Sequence, residues 1–234
     1  MFQNELVKTE NQTLIRGGCF EISILNGTGD VRISQSKDDK ISISARERVK
    51  AKGKELKTRI LDNINILAEK KDKSIVIGAV TKDHGDLWEW KQTSFPAAQI
   101  SIDYQVKIPK GMGSFTVNTR MGKIEVDDLQ GALKTHTGMG DIHLSKVVLE
   151  GENNISTDSG YINAEISQME EAGLVNISSD LGNIKLNVPH SAKYSLETKV
   201  SNRDSQKQVV HGGGSTLVQI TADLGTISVN GKRQ

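Results

Sequence analysis

Cysteine is almost missing from this chain: Cys19 stands alone, so no disulfide can form within it and a zinc site built on several thiolates is excluded. Its place near the start of a strand reads as a small buried hydrophobe. Charge of one sign is lacking too. Thirty basic residues meet 29 acidic ones, a net charge of +1, so no overall field steers the protein toward nucleic acid or an anionic membrane, and neither is expected as a partner. No apolar run approaches the ~18 residues of a membrane span. The start, Met1-Phe2-Gln3-Asn4-Glu5-Leu6, has no basic segment leading into an apolar one, which as written predicts a cytoplasmic location. Aromatic residues are few, at 4%, and three prolines stand against 22 glycines, a balance that suits a β protein with many glycine turns better than an enzyme.

What the chain does have is a repeat. Gly122, Gly140, Gly160, Gly182 and Gly225 each separate two alternating segments, at intervals of 18, 20, 22 and 43 residues. The second residue after each is Ile124, Ile142, Ile162, Ile184 and Ile227, and the fourth is Val126, Leu144, Ala164, Leu186 and Val229. Polar residues fill the places between, among them Lys123, Asp141, Tyr161, Asn183 and Thr226. That is the period-two alternation of a strand with one wet face. Before the glycine, small or β-branched residues stand three back: Thr119, Thr137, Thr157, Ser179 and Ala222. One back, Met121, Met139, Ser159, Leu181 and Leu224 are expected to cap the corner from within. Glycine itself is expected to provide a positive φ or a close backbone approach. A further copy runs through Ile24, Asn26, Thr28, Gly29, Val31 and Ile33. A degenerate one fills the long interval, with Leu196, Thr198 and Val200 ahead of Ser201, its second strand lost and 202–214 reading as a polar loop.

One such unit has too few apolar side chains to bury itself, so units must stack. The expectation is an all-β chain, a right-handed parallel β-solenoid of ~20-residue coils with a less regular N-terminal β region. An antiparallel sandwich is the rival, disfavoured because connectors vary in length at one place in the unit. The boundary is expected near residue 110: residues 1–110 hold irregular strands, a short helix around Lys54 to Leu61 and an inserted loop at 81–96, and 111–234 hold the repeats, in one elongated body.

The units Thr137-Gly138-Met139-Gly140-Asp141-Ile142-His143-Leu144 and Ser159-Gly160-Tyr161-Ile162-Asn163-Ala164 resemble those of a bacterial family of presumed adhesins of unknown function. The resemblance covers Ile22 to Ile33 and Thr116 to Asn230. It implies a β-solenoid on the cell surface or otherwise outside the cytoplasm, and it brings no catalytic residues.

Chemical motifs are sparse. His211-Gly212-Gly213-Gly214 matches an oxyanion glycine run, but no Gly-x-Ser-x-Gly accompanies it. Gly27-Thr28-Gly29-Asp30 lacks the tandem nine-residue period of calcium-binding β-rolls. Asp158, Asp180 and Asp223 share one column, two before the repeat glycine, and Lys199 of the degenerate copy falls between the last two, which favours a neutralised charge ladder over a cation site. His136 and His143 are predicted on different strands, not convergent. His84, Asp86, Trp88 and Trp90 form the richest cluster, aromatics alternating with charges on a loop that could dock a sugar ring or a protein surface.

The sequence therefore predicts a non-enzymatic scaffold or adhesin-like binding protein without catalytic residue, metal or cofactor, whose partner is a protein or a surface glycan. Copies are expected to pair through open coil edges. The alternative is a carbohydrate-active β-helix enzyme, a polysaccharide lyase or hydrolase, which needs clustered acids and bases along one groove.

Overall fold

A computed structural model describes residues 5–201, 205–211, 214–230 and 232–233, with 205–211 and 232–233 as backbone path alone. The chain opens with β1 (Leu6–Ile15), and the first corner unit follows as β2 (Glu21–Thr28) and β3 (Val31–Gln35). An intervening region holds β4 (Lys40–Lys50), α1 (Lys54–Asp62), β5 (Ile64–Lys71), β6 (Ser74–Thr81), α2 (Leu87–Ser94) and β7 (Gln99–Ile108). Corner units then resume: β8 (Ser114–Met121) with β9 (Ile124–Asp127), β10 (Gln130–Met139) with β11 (Ile142–Leu149), β12 (Glu152–Ser159) with β13 (Ile162–Met169), and β14 (Leu174–Leu181) with β15 (Ile184–Asn187). A hairpin of β16 (Tyr194–Val200) and β17 (Ser205–His211) precedes the last unit, β18 (Thr216–Leu224) with β19 (Ile227–Val229), and β20 (Lys232–Arg233) ends the chain.

The chain is all-β, and its middle is two parallel ladders. In one, β2, β8, β10, β12, β14 and β18 pair in order, with Ile24 beside Val117, Val117 beside Thr135, and so on through Ile155, Ile177 and Ile220. In the other, β3, β9, β11, β13, β15 and β19 align Val31, Ile124, Ile142, Ile162, Ile184 and Ile227 in one row. All six side chains of that row are buried and share a single core with the inward row of the first ladder. Burying an isoleucine stabilises by about 1.5–3 kcal/mol, so the alternation read from the sequence drives the stacking.

Outside these ladders the pairing is mixed. β7 joins β3 and β6 joins β2 in parallel, but β4 pairs β7, β1 pairs β4, β5 pairs β6, β17 pairs β16 and β20 pairs β19 antiparallel. The expected short helix is α1.

Each corner is held by a close approach. A Cβ on Gly140 would overlap the carbonyl oxygen of Gly122, and one on Gly160 that of Gly140. No side chain fits there without parting the units. The same carbonyl is met from inside by the residue three before the next glycine: Thr137 Oγ1 donates to Gly122 O at 2.9 Å, Thr157 Oγ1 to Gly140 O at 2.9 Å and Ser179 Oγ to Gly160 O at 3.1 Å. Thr137, Thr157 and Ser179 are buried. A buried carbonyl without a partner is costly, which accounts for the hydroxyls at this place.

Three sequence expectations fail. The degenerate copy does not lie between the units of Gly182 and Gly225. Instead β14 pairs directly with β18, and β16 lies on the far side of β18, shifted by two residues so that Val200 faces Ala222. Thr198, not Leu196, thus faces Ile220, because strand periodicity is kept by any shift of two. The polar loop holds β17 over 205–211, while 202–204 and 212–213 lie outside the described residues. The residues before the glycine do not cap the corner from within: Met121, Met139, Leu181 and Leu224 are 39–56% exposed. The chain leaves strict alternation at the bend, so the two residues before the glycine both face outward.

At one end β1 is an edge strand, and charged side chains blunt it. Glu47 on β4 is fully buried, Lys8 Nζ stands 3.3 Å from its Oε1, and among the described residues neither carboxyl oxygen has a hydrogen bond. Glu10 pairs with the same ammonium at 3.2 Å, and the buried Tyr104 hydroxyl also lacks a partner among the described residues. Burial pushes the Glu47 carboxyl up from its ordinary 4.5 to about 7, against the pull of Lys8. Burial likewise raises the Tyr104 phenol, with Glu47 and Glu10 adding to it.

Two predictions follow from these contacts. In urea unfolding, Gly160→Ala should cost about 1–3 kcal/mol through overpacking and Thr157→Val about 1–3 kcal/mol through the orphaned carbonyl. The exposed control Glu165→Ala should stay within about 0.5 kcal/mol of wild type, and equal values for all three variants would contradict the corner assignment. For Glu47, the folded state holds the proton more tightly than the unfolded one. Its contribution to stability is therefore complete below about pH 4.5 and is lost as pH rises through about 7, a change of about 3 kcal/mol. Glu47→Gln should flatten that fall, and parallel stability curves for the two proteins would rule it out.

Candidate functional site

The tryptophan segment is a capped helix, not the expected loop. After β6, His84 takes φ +59° in a turn in which its backbone N–H donates to Thr81 O at 2.9 Å. Gly85 N donates to Thr81 Oγ1 at 2.9 Å. Asp86 then caps α2, its Oδ1 accepting from Glu89 N at 2.7 Å. Leu87 is fully buried and anchors the helix on the core. His84 and Asp86 thus shape the turn and the cap, and neither is among the residues lining the two clefts that the tryptophans reach.

Trp88 and Trp90 are two apart on a helix, so they diverge and do not form one platform. Trp90 meets Phe95 edge to face, ring centroids 5.1 Å apart, and the Arg59 guanidinium lies over the Phe95 ring, 5.7 Å from its centroid. Trp90 lines a cleft of about 850 Å³ against α1, where Lys54, Arg59 and Lys82 are balanced by Glu55, Asp62 and Asp83.

Trp88 lines a second cleft, of about 550 Å³, on the other side. A Cβ on Gly27 would overlap Cδ2 and Cε2 of Trp88. Those two atoms share the ring-fusion bond, which can be approached only from above, so the indole lies face-down on Gly27. This explains a glycine that the sequence set beside a calcium motif. Among the described residues the cleft gathers Arg48, Lys50, Lys91 and Arg120 against a single acid, Glu5. Arg48 is fixed by Asp103 Oδ1 at 2.7 Å and Ser101 Oγ at 3.1 Å. Sequence reasoning missed this set because the cations lie far apart in the chain and vanish into a balanced total. The one trace was outward Arg48 and Lys50 on a single strand.

The other flagged residues stay apart. Asp158, Asp180 and Asp223 are neighbours in their column, but the shift of β16 removes Lys199 from it and brings Ser201, whose Oγ donates to Asp223 Oδ1 at 2.6 Å. His136 Nδ1 is 3.0 Å from Ser156 Oγ, on a different strand from His143. Among the described residues no group of three side chains suited to a metal forms. Outward Lys123, Asp141, Tyr161, Asn183 and Thr226 follow one another along the second ladder beside the repeat isoleucines.

No curated protein matches the chain. Among solved structures, a presumed cell adhesion protein from Clostridium sporogenes aligns with a TM-score of 0.52 at 14% identity, covering 96% of this chain and 99% of that one. A presumed adhesin from Bacteroides fragilis aligns with a TM-score of 0.35 at 11% identity, covering 95% and 97%. The first of these shares the fold. The Toastrack DUF4097 family matches residues 112–230, just over half of the chain and the stretch that holds five of its six corner units. On that match the chain belongs to the Toastrack DUF4097 family.

Proposed function

We propose that this protein is a non-enzymatic, adhesin-like binding protein, its stacked units winding as one right-handed parallel solenoid that holds a ligand-binding helix in place. The observation that carries this reading is the setting of α2, a capped helix docked through Leu87, whose two tryptophans line two clefts. Binding residues held on a rigid body and placed at a cleft lose little entropy on engagement. The ligand is a surface glycan or a partner protein, since a partly exposed indole offers an apolar face and a polar N–H together. A location outside the cytoplasm accords with this role. No helix among the described residues is long and apolar enough to cross a membrane.

Glycan-array and pull-down comparison of wild type with the Trp88→Ala and Trp90→Ala variants tests the reading. Binding should fall about tenfold or more in whichever single variant disrupts the occupied cleft, and a polysaccharide turnover screen should give no product. Equal binding by wild type and the double variant would remove α2 from consideration. Turnover abolished by substituting one acid would replace the reading with an enzyme.

A further inference from the structure

Resting on that binding reading, we infer that the cleft beside Trp88 is the binding site and that its ligand is an acidic saccharide, a sugar bearing carboxylate or sulfate groups. The charge is concentrated there. Among the described residues Arg48, Lys50, Lys91 and Arg120 converge against Glu5 alone, on a protein whose total charge is +1. Arg48 is already neutralised by Asp103 and serves as a fixed wall. Among the described residues Lys50, Lys91 and Arg120 enter no ion pair. They come from three elements: Lys50 from β4, Lys91 from α2 and Arg120 from the end of β8. Lys91 Nζ is steadied by Pro96 O at 3.2 Å. Three unpaired cations in one concavity repel each other, and an anion placed among them relieves that repulsion while gaining charge-assisted hydrogen bonds.

The rest of the lining fits a sugar ring. Trp88 is fixed by its seat on Gly27, and the part of the indole that reaches the cleft offers an apolar surface for ring C–H groups. Gln92, Gln99 and Ser101 add amide and hydroxyl groups of the kind that pair with sugar hydroxyls. A volume of about 550 Å³ lies within the usual range for small-ligand sites. A nucleic-acid chain would call for a basic track along the surface, whereas these cations are confined to one cleft.

Titration calorimetry and tryptophan fluorescence on the full chain decide the matter, with four probes: an oligogalacturonate, its fully methyl-esterified neutral form, a heparin-derived tetrasaccharide, and phosphatidylglycerol vesicles. At least one of the two acidic saccharides should bind, with affinity falling as sodium chloride rises, and the neutral ester should bind about tenfold or more weakly than its parent. Lys50→Gln combined with Arg120→Gln should weaken binding of the acidic saccharide about tenfold or more. Lys185→Gln, exposed on the second ladder, should leave it unchanged. Equal affinity for the ester, full binding by the Lys50/Arg120 variant, or binding of vesicles without either saccharide would overturn the inference. Neutral-saccharide binding lost in Trp88→Ala would overturn it alone and leave the binding role standing. Absence of binding to every saccharide, with Trp88 and Trp90 also dispensable for protein partners, would remove both.

Discussion

The contact between the α-carbon of one corner glycine and the carbonyl of the glycine below governs this fold. It sets the spacing of the units, because nothing larger than hydrogen fits between Gly160 and the carbonyl of Gly140. It also turns that carbonyl out of the strand pairing, where the Thr157 hydroxyl takes it up. Once the corners are locked in register, the isoleucines two residues on must fall in line. Hydrophobic burial supplies most of the free energy of stacking, and the corner decides which residues are stacked.

That division explains what could be read from the sequence. The repeat glycines, the inward Ile124, Ile142, Ile162, Ile184 and Ile227, and the distant copy around Gly29 were all legible, since each depends on local spacing and a period of two. The place of β16 was not. Leu196, Thr198 and Val200 keep the right alternation in more than one register, and only the meeting with β18 chooses between them. The outward turn of Met121, Met139, Leu181 and Leu224 was hidden for a related reason: alternation lapses at a corner, and apolar residues there lose their usual meaning. Irregular strands were legible in the N-terminal region, but the antiparallel direction of β4 against β1 and β7 is a property of partners far away in the chain.

The candidate site was half legible. Two tryptophans in one charged segment mark α2, but the segment interrupts the strands and reads as an inserted loop, with Asp86 one charge among several. The helix splits the pair between two clefts. Gly27 and Trp88, 61 residues apart by their numbering, make a single feature, a ring resting on a bare backbone. Arg48, Lys50, Lys91 and Arg120 become a group only when β4, α2 and β8 meet. A balanced sequence thus acquires a local field, because net charge says nothing about where the charges lie.

The stack is continuous only if the units of Gly182 and Gly225 are adjacent across the long interval, where sequence order and spatial order part. Methyl NOE spectroscopy on isoleucine-labelled protein measures it directly. The δ-methyl of Ile184 should show cross-peaks to both Ile162 and Ile227, continuing an unbroken series from Ile124 through Ile142. An Ile184 methyl in contact with Leu196 on β16 and not with Ile227, or a break anywhere in that series, would contradict the stacking from which the rest follows.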